Sequence, residues 1–97
     1  MRVRWSESSL SDIDDIFSYI HERNRTAAVA VVERIKAVAG LLQDFPEVGH
    51  LTDEPGVRMF PTFPTVRYPY LIFYTVNPAD AEIVILHVRH GAQEPRP

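Results

Sequence analysis

His87, Arg89 and His90 end the apolar run Ile83-Val84-Ile85-Leu86-His87-Val88-Arg89-His90, and Gly91 follows. Imidazole and guanidinium groups at the end of a hydrophobic strand offer a small cationic, titratable site where a partner could meet the protein. No other chemical motif competes with it. The chain has no Gly-rich phosphate loop, no nucleophile elbow and no zinc-ligand spacing. Asp12 and Asp15 form a carboxylate pair, but no full ligand set accompanies them, so a capping or solvated role is expected and no metal. His21 and His50 receive no role. With no cysteine, disulfide and thiol chemistry are excluded. No cofactor is expected.

Charge narrows the class of partner. The net charge is −3, and Lys36 is the only lysine. A surface that tracks many phosphates needs clustered Lys and Arg, which this composition does not provide. The balance is uneven along the chain. Residues 1–55 carry −4 and residues 56–97 carry +1, the latter including Arg58, Arg67 and Arg89. A small cationic patch fits that half; a long nucleic-acid track does not.

The elements that must position these groups are legible. The 97 residues suit one domain spanning 1–97, with a core drawn from most of the chain. Met1 to Trp5 alternate as a short strand. Ser6 and Ser8 are candidate helix caps, before Leu10, Ile13, Ile16, Phe17 and Ile20 recur at helical spacing. Asn24-Arg25-Thr26 interrupts that pattern. A second stripe follows in Ala28, Val31, Val32, Ile35, Val38, Leu42 and Phe45, stopped by Pro46. Residues 46–56 read as a loop and Val57–Phe60 as a short edge strand limited by Pro61 and Pro64. Residues 67–76 and 83–90, joined by Asn77-Pro78-Ala79-Asp80, read as an antiparallel hairpin. The expected fold is α+β: an N-terminal strand and an antiparallel helical hairpin packed on a small antiparallel sheet. No stretch is long and apolar enough to cross a bilayer and no leader is visible, so the expected location is cytoplasmic.

Three ordered blocks resemble the ParE branch of the ParE/RelE toxin superfamily of type II toxin–antitoxin systems. They are Val3-Arg4-Trp5-Ser6 with Leu10, Asp12 to Ile16 and Tyr19-Ile20; Val32 to Leu42 with Phe45 to Gly49 and Pro55 to Arg58; and Tyr70 to Val76 with Ile83 to Gln93. The resemblance covers nearly the whole chain. It implies the same fold, a cognate ParD-like antitoxin whose amphipathic segment lies across the toxin, and contact with nucleic acid only through that complex. ParE-like members inhibit DNA gyrase by binding and need no catalytic set. RelE-like members are ribosome-dependent messenger-RNA endonucleases that gather Lys and Arg at the site, beside the charge that develops in phosphoryl transfer. Here Tyr70 stands where a RelE-like strand carries Arg, and the lysines are missing. The ParE reading is preferred. The alternative is a RelE-like ribonuclease using Arg58, Arg67, His87 and Arg89, and a third reading is a degenerate toxin fold that only forms complexes.

Strict alternation places Ile83, Ile85, His87 and Arg89 on one strand face and Val84, Leu86, Val88 and His90 on the other. The Val/Leu face is expected against the helices, which leaves His87 and Arg89 on the open face. With the family resemblance, Arg58, Arg67, His87, Arg89 and His90 are the candidate target-binding residues; from the strand pattern alone, His87 and Arg89 read as solvated residues on an open sheet face. Tyr68, Tyr70 and Tyr74 share a face and read as packing. Ala27, Ala30 and Val31 extend the apolar stripe of the second helix and are the candidate antitoxin-binding residues.

Overall fold

The structure is a computed structural model and describes residues 1–62 and 70–91. Strand β1 (Arg2–Trp5) leads into helix α1 (Glu7–His21), and helix α2 (Arg25–Leu41) follows after a short turn. Strands β2 (His50–Leu51), β3 (Val57–Pro61), β4 (Tyr70–Asn77) and β5 (Glu82–His90) complete the chain, the last two joined by a 3-10 turn at Pro78–Asp80. Both helices start on a side-chain cap. The Ser6 hydroxyl accepts the Ser9 N–H and the Asn24 side chain accepts the Ala27 N–H, each at 3.0 Å. Asn24, the break in the sequence pattern, is therefore what begins the second helix.

The sheet order is β1-β5-β4-β3-β2. β1 runs parallel to β5, whereas β5, β4, β3 and β2 pair antiparallel in turn. The α+β class and the helical hairpin on a mainly antiparallel sheet are as expected. The helices lie on one face, α1 over β5 and α2 over β4. Ile13, Ile16 and Ile20 of α1 and Val31, Ile35 and Val38 of α2 meet Tyr70, Ile72, Tyr74, Ile83 and Ile85 in one core. Each fully buried aliphatic side chain contributes about 1.5–3 kcal/mol.

Three details differ from the sequence reading. The loop at 46–56 contains β2, so β3 is flanked at Arg58 and Met59 and is not a bare edge. Leu10, at 52% exposure, lies outside the core, as does Phe45. In α1 the buried row is Ser9, Ile13, Ile16 and Ile20. Ser9 is accommodated because its hydroxyl donates to the Ser6 carbonyl at 2.8 Å, which leaves Leu10 on the flank.

Tyr74 ties the loop to the sheet. Its side chain is fully buried, and its hydroxyl accepts the Gly49 N–H and donates to the Pro46 carbonyl, both at 2.9 Å. A Cβ on Gly49 would stand 2.5 Å from that oxygen, so the close approach requires glycine. Burial pushes the Tyr74 phenol pKa up, with the Gly49 hydrogen bond and then Arg58 acting in the opposite direction. Two outcomes are expected. Tyr74→Phe should cost about 1–3 kcal/mol in urea unfolding, because the Gly49 N–H and Pro46 carbonyl lose their partner. The folded state also favours the neutral phenol, so its stabilising effect is complete below the ordinary phenol value of 10.0 and is lost as pH rises through the higher folded value. The Phe variant should lack that alkaline loss, and equal slopes of stability against pH for both proteins would contradict it.

Candidate functional site

The chain leaves the sheet at Trp5 and immediately enters α1. The Ser6 N–H donates to the Ile85 carbonyl and the Ser6 hydroxyl to the Leu86 carbonyl, both at 3.0 Å. Beyond that point β5 has no β1 beside it, since the pairing ends at Trp5 and Ile85. The β4–β5 register also shifts there: Tyr74 faces Ile85, Phe73 faces His87, and Leu86 is the extra residue of a β-bulge. Ile83 and Ile85 point into the core, and after the bulge Val88 does so. His87 and Arg89 lie opposite Phe73 and Leu71, alternating away from the core-facing Val88 at the outer edge of β5, where Asp12 and the α1 cleft still reach them. The expectation that Val84 and Leu86 cover the helices is therefore corrected, although His87 and Arg89 stay out of the core. The bulge resets the alternation. Without it, burying Ile83 and Ile85 would also point His87 and Arg89 at the helices.

A cleft of about 790 Å³ opens between α1 and the end of β5. Asp12, Asp15, Tyr19 and Arg23 line one wall, and Tyr70, Arg89 and His90 the other. The His90 ring meets the Tyr70 ring edge-on, with centroids 5.3 Å apart. Arg23 donates to the Tyr19 carbonyl at 2.8 Å, and its guanidinium carbon sits 4.0 Å above the Tyr19 ring centre. Asp12 Oδ2 accepts the Val88 N–H at 3.0 Å and lies 3.6 Å from His87 Nδ1, an ion pair whenever that imidazole is protonated. Two carboxylates thus share the cleft with two guanidiniums and an imidazole, and its field is mixed. An incoming phosphate would meet carboxylates on the rim as well as positive charge. Among the described residues no cluster of three or more His, Cys, Asp or Glu is placed to hold a metal.

The candidate target-binding residues do not all meet. His87, Arg89 and His90 gather at the end of β5. Arg58 points to the helix side, where its Nη1 donates to the carbonyls of Gly49 at 2.8 Å and Glu47 at 3.0 Å. Arg67 lies outside the described residues, as does Tyr68. Of the antitoxin-binding candidates, Ala30 is exposed and Ala27 half-buried. Val31, at 2% exposure, is a core residue. Sequence reasoning gave Asp12 a capping or solvated role, whereas Ser6 is the cap and Asp12 reaches across to β5. The available signal was the helical spacing of Asp12, Ile16, Tyr19 and Arg23, which aligns one row of α1 with the cleft.

The family model described as "ParE toxin of type II toxin-antitoxin system, parDE" matches residues 3–95. The chain belongs to this family. Relatives agree over nearly full length. Toxin RelE2 of Caulobacter vibrioides is 33% identical over 92 residues, covering 95% of this chain and 97% of that protein. A Sinorhizobium fredii protein designated Y4kP is 30% identical over 94 residues, covering 96% and 91%. Among solved structures, a chain of the chromosomal ParDE TA system from P. aeruginosa superposes with a TM-score of 0.78 at 25% identity, covering 93% of this chain and 95% of that one. This protein is accordingly a type II toxin–antitoxin toxin of the ParE family.

Within the ParE-family fold Arg58 acts as a brace for the loop before β2. Arg58→Ala should lower stability by about 1–3 kcal/mol, since two backbone carbonyls lose a charged donor. Any loss of toxicity should follow the folded fraction measured by circular dichroism. A fully folded Arg58→Ala protein without toxicity would instead make Arg58 a contact residue.

Proposed function

We propose that this ParE-family toxin acts by docking onto DNA gyrase, without catalysis, and is neutralised by a cognate ParD-like antitoxin in the cytoplasm. The observation that carries the reading is the dispersal of positive charge. Arg58 is engaged by loop carbonyls, and the cleft that holds Arg89 and His90 also holds Asp12 and Asp15. Phosphoryl transfer needs convergent positive charge where the transition state becomes more negative, and this arrangement supplies little. Docking needs only a stable surface with complementary charge. The end of β5, with His87 and Arg89 at its outer edge, is the target-binding surface in this reading. For the antitoxin, Ala27 and Ala30 remain the candidate contacts, beside Val29, which is exposed on the same helix. A helix laid along that side of α2 would cover apolar surface left bare by the sheet. Among the described residues no helix is long and apolar enough to cross a membrane.

A second reading has one observation in its favour. A full-length relative is named toxin RelE2, and Arg23, Arg89 and His90 do share one cleft. A ribosome-dependent ribonuclease would use His90 or His87 as its general base or acid. Purified toxin added to a supercoiling assay and to a translating-ribosome cleavage assay separates the two: inhibited supercoiling with intact message is expected, and the reverse would overturn docking on gyrase. Arg89→Glu should weaken inhibition by about tenfold or more through charge reversal at the surface, with unfolding unchanged. Truncation after His90 should likewise impair inhibition. Full potency in both variants would remove the end of β5 from the working surface. An inactive fold is tested by growth, since expression without antitoxin should arrest cells.

A further inference from the structure

We propose that Asp12 is a positioning residue for the working end of β5, holding it in place of the neighbouring strand that β1 does not supply. The inference rests on the reading of that end as the target-binding surface. After Ile85 the outer edge of β5 has no strand beside it, and a strand end held from one side only opens more readily. Asp12 supplies the second side. Its Oδ2 takes the Val88 N–H at 3.0 Å across a separation of 76 residues, a hydrogen bond strengthened by the carboxylate charge. The same oxygen lies 3.6 Å from His87 Nδ1, so one atom constrains both the backbone and the imidazole.

The carboxylate can do this because its own platform is rigid. α1 is capped by Ser6, which is itself bonded to the Leu86 carbonyl, and Ile13 and Ile16, next to Asp12 on the helix, are buried. The side chains involved stay partly open to solvent, 29% for Asp12 and 40% for His87, so the latch sits at the surface that a target would meet. Asp12 acts on the target through Val88 and His87, and α1 thereby fixes how β5 presents Arg89.

The test compares Asp12→Ala with Asp12→Asn in the full chain, reading amide hydrogen exchange and growth arrest. Asp12→Ala should speed Val88 exchange by about tenfold or more, the loss of one charge-assisted hydrogen bond, while α2 and Ile83 exchange as before. It should also weaken growth arrest. Asp12→Asn keeps an oxygen that accepts the Val88 N–H, so it should restore protection and arrest to within a few-fold of the parent. Unchanged Val88 exchange in Asp12→Ala would overturn the latch. Faster exchange with undiminished arrest would overturn its positioning role. Neither readout requires gyrase, so a parent chain that arrests growth with normal supercoiling would defeat the gyrase reading alone.

Discussion

β5 loses its parallel neighbour after Ile85 because the chain leaves β1 at Trp5 and turns at once into α1. The features of the far end of β5 follow from that departure. Ser6 marks the exit, bonded to two carbonyls of β5 while it caps α1. The bulge at Leu86 lies at the same level, where the lost partner leaves β5 free to shift register against β4 alone. It also decides which side chains face outward. Beyond it the strand is held by β4 on one side and by a helix carboxylate on the other. The cleft is the space between α1 and a strand that outlasts its neighbour.

The arginines of this fold are spent largely on holding it together. Arg2 and Arg4 reach the same buried carboxylate, Glu82, across the β1–β5 pair at 3.0 and 3.1 Å. Arg34 ties α2 to the Thr62 carbonyl, Arg58 braces the loop before β2, and Arg23 folds back onto Tyr19. The guanidiniums are largely exposed while Glu82 is buried, so the two pairs keep that carboxylate partnered and set the β1–β5 register. Arg34 and Arg58 are oriented by carbonyls at separate points, away from the cleft that Arg23 and Arg89 line. Arg89 is different: it is exposed at the end of the sheet, beside the cleft.

The helical hairpin and the β4–β5 hairpin were legible in the sequence because their signals are local. Ile13, Ile16 and Ile20 repeat at helical spacing, and Val31, Ile35 and Val38 do the same in α2. β2 was hidden because two residues, His50 and Leu51, carry no periodic signal, and only the β3 edge beside them makes them a strand. The candidate site was partly legible. His87, Arg89 and His90 stood out by type at the end of an apolar run, whereas Asp12 did not, since its partner lies at the far end of the chain.

The sequence by itself determined the elements, their order, the shortage of positive charge and the cluster at the end of β5, all of which depend on residue identity and short-range spacing. Only the tertiary structure decided which face His87 and Arg89 occupy, because a single extra residue in β5 inverts the alternation and nothing local announces it. It also decided that Val31 belongs to the core, that Arg58 braces a loop, and that Asp12 completes an edge. Those roles depend on which groups lie opposite one another once helix and sheet are packed, and that follows from long-range pairing.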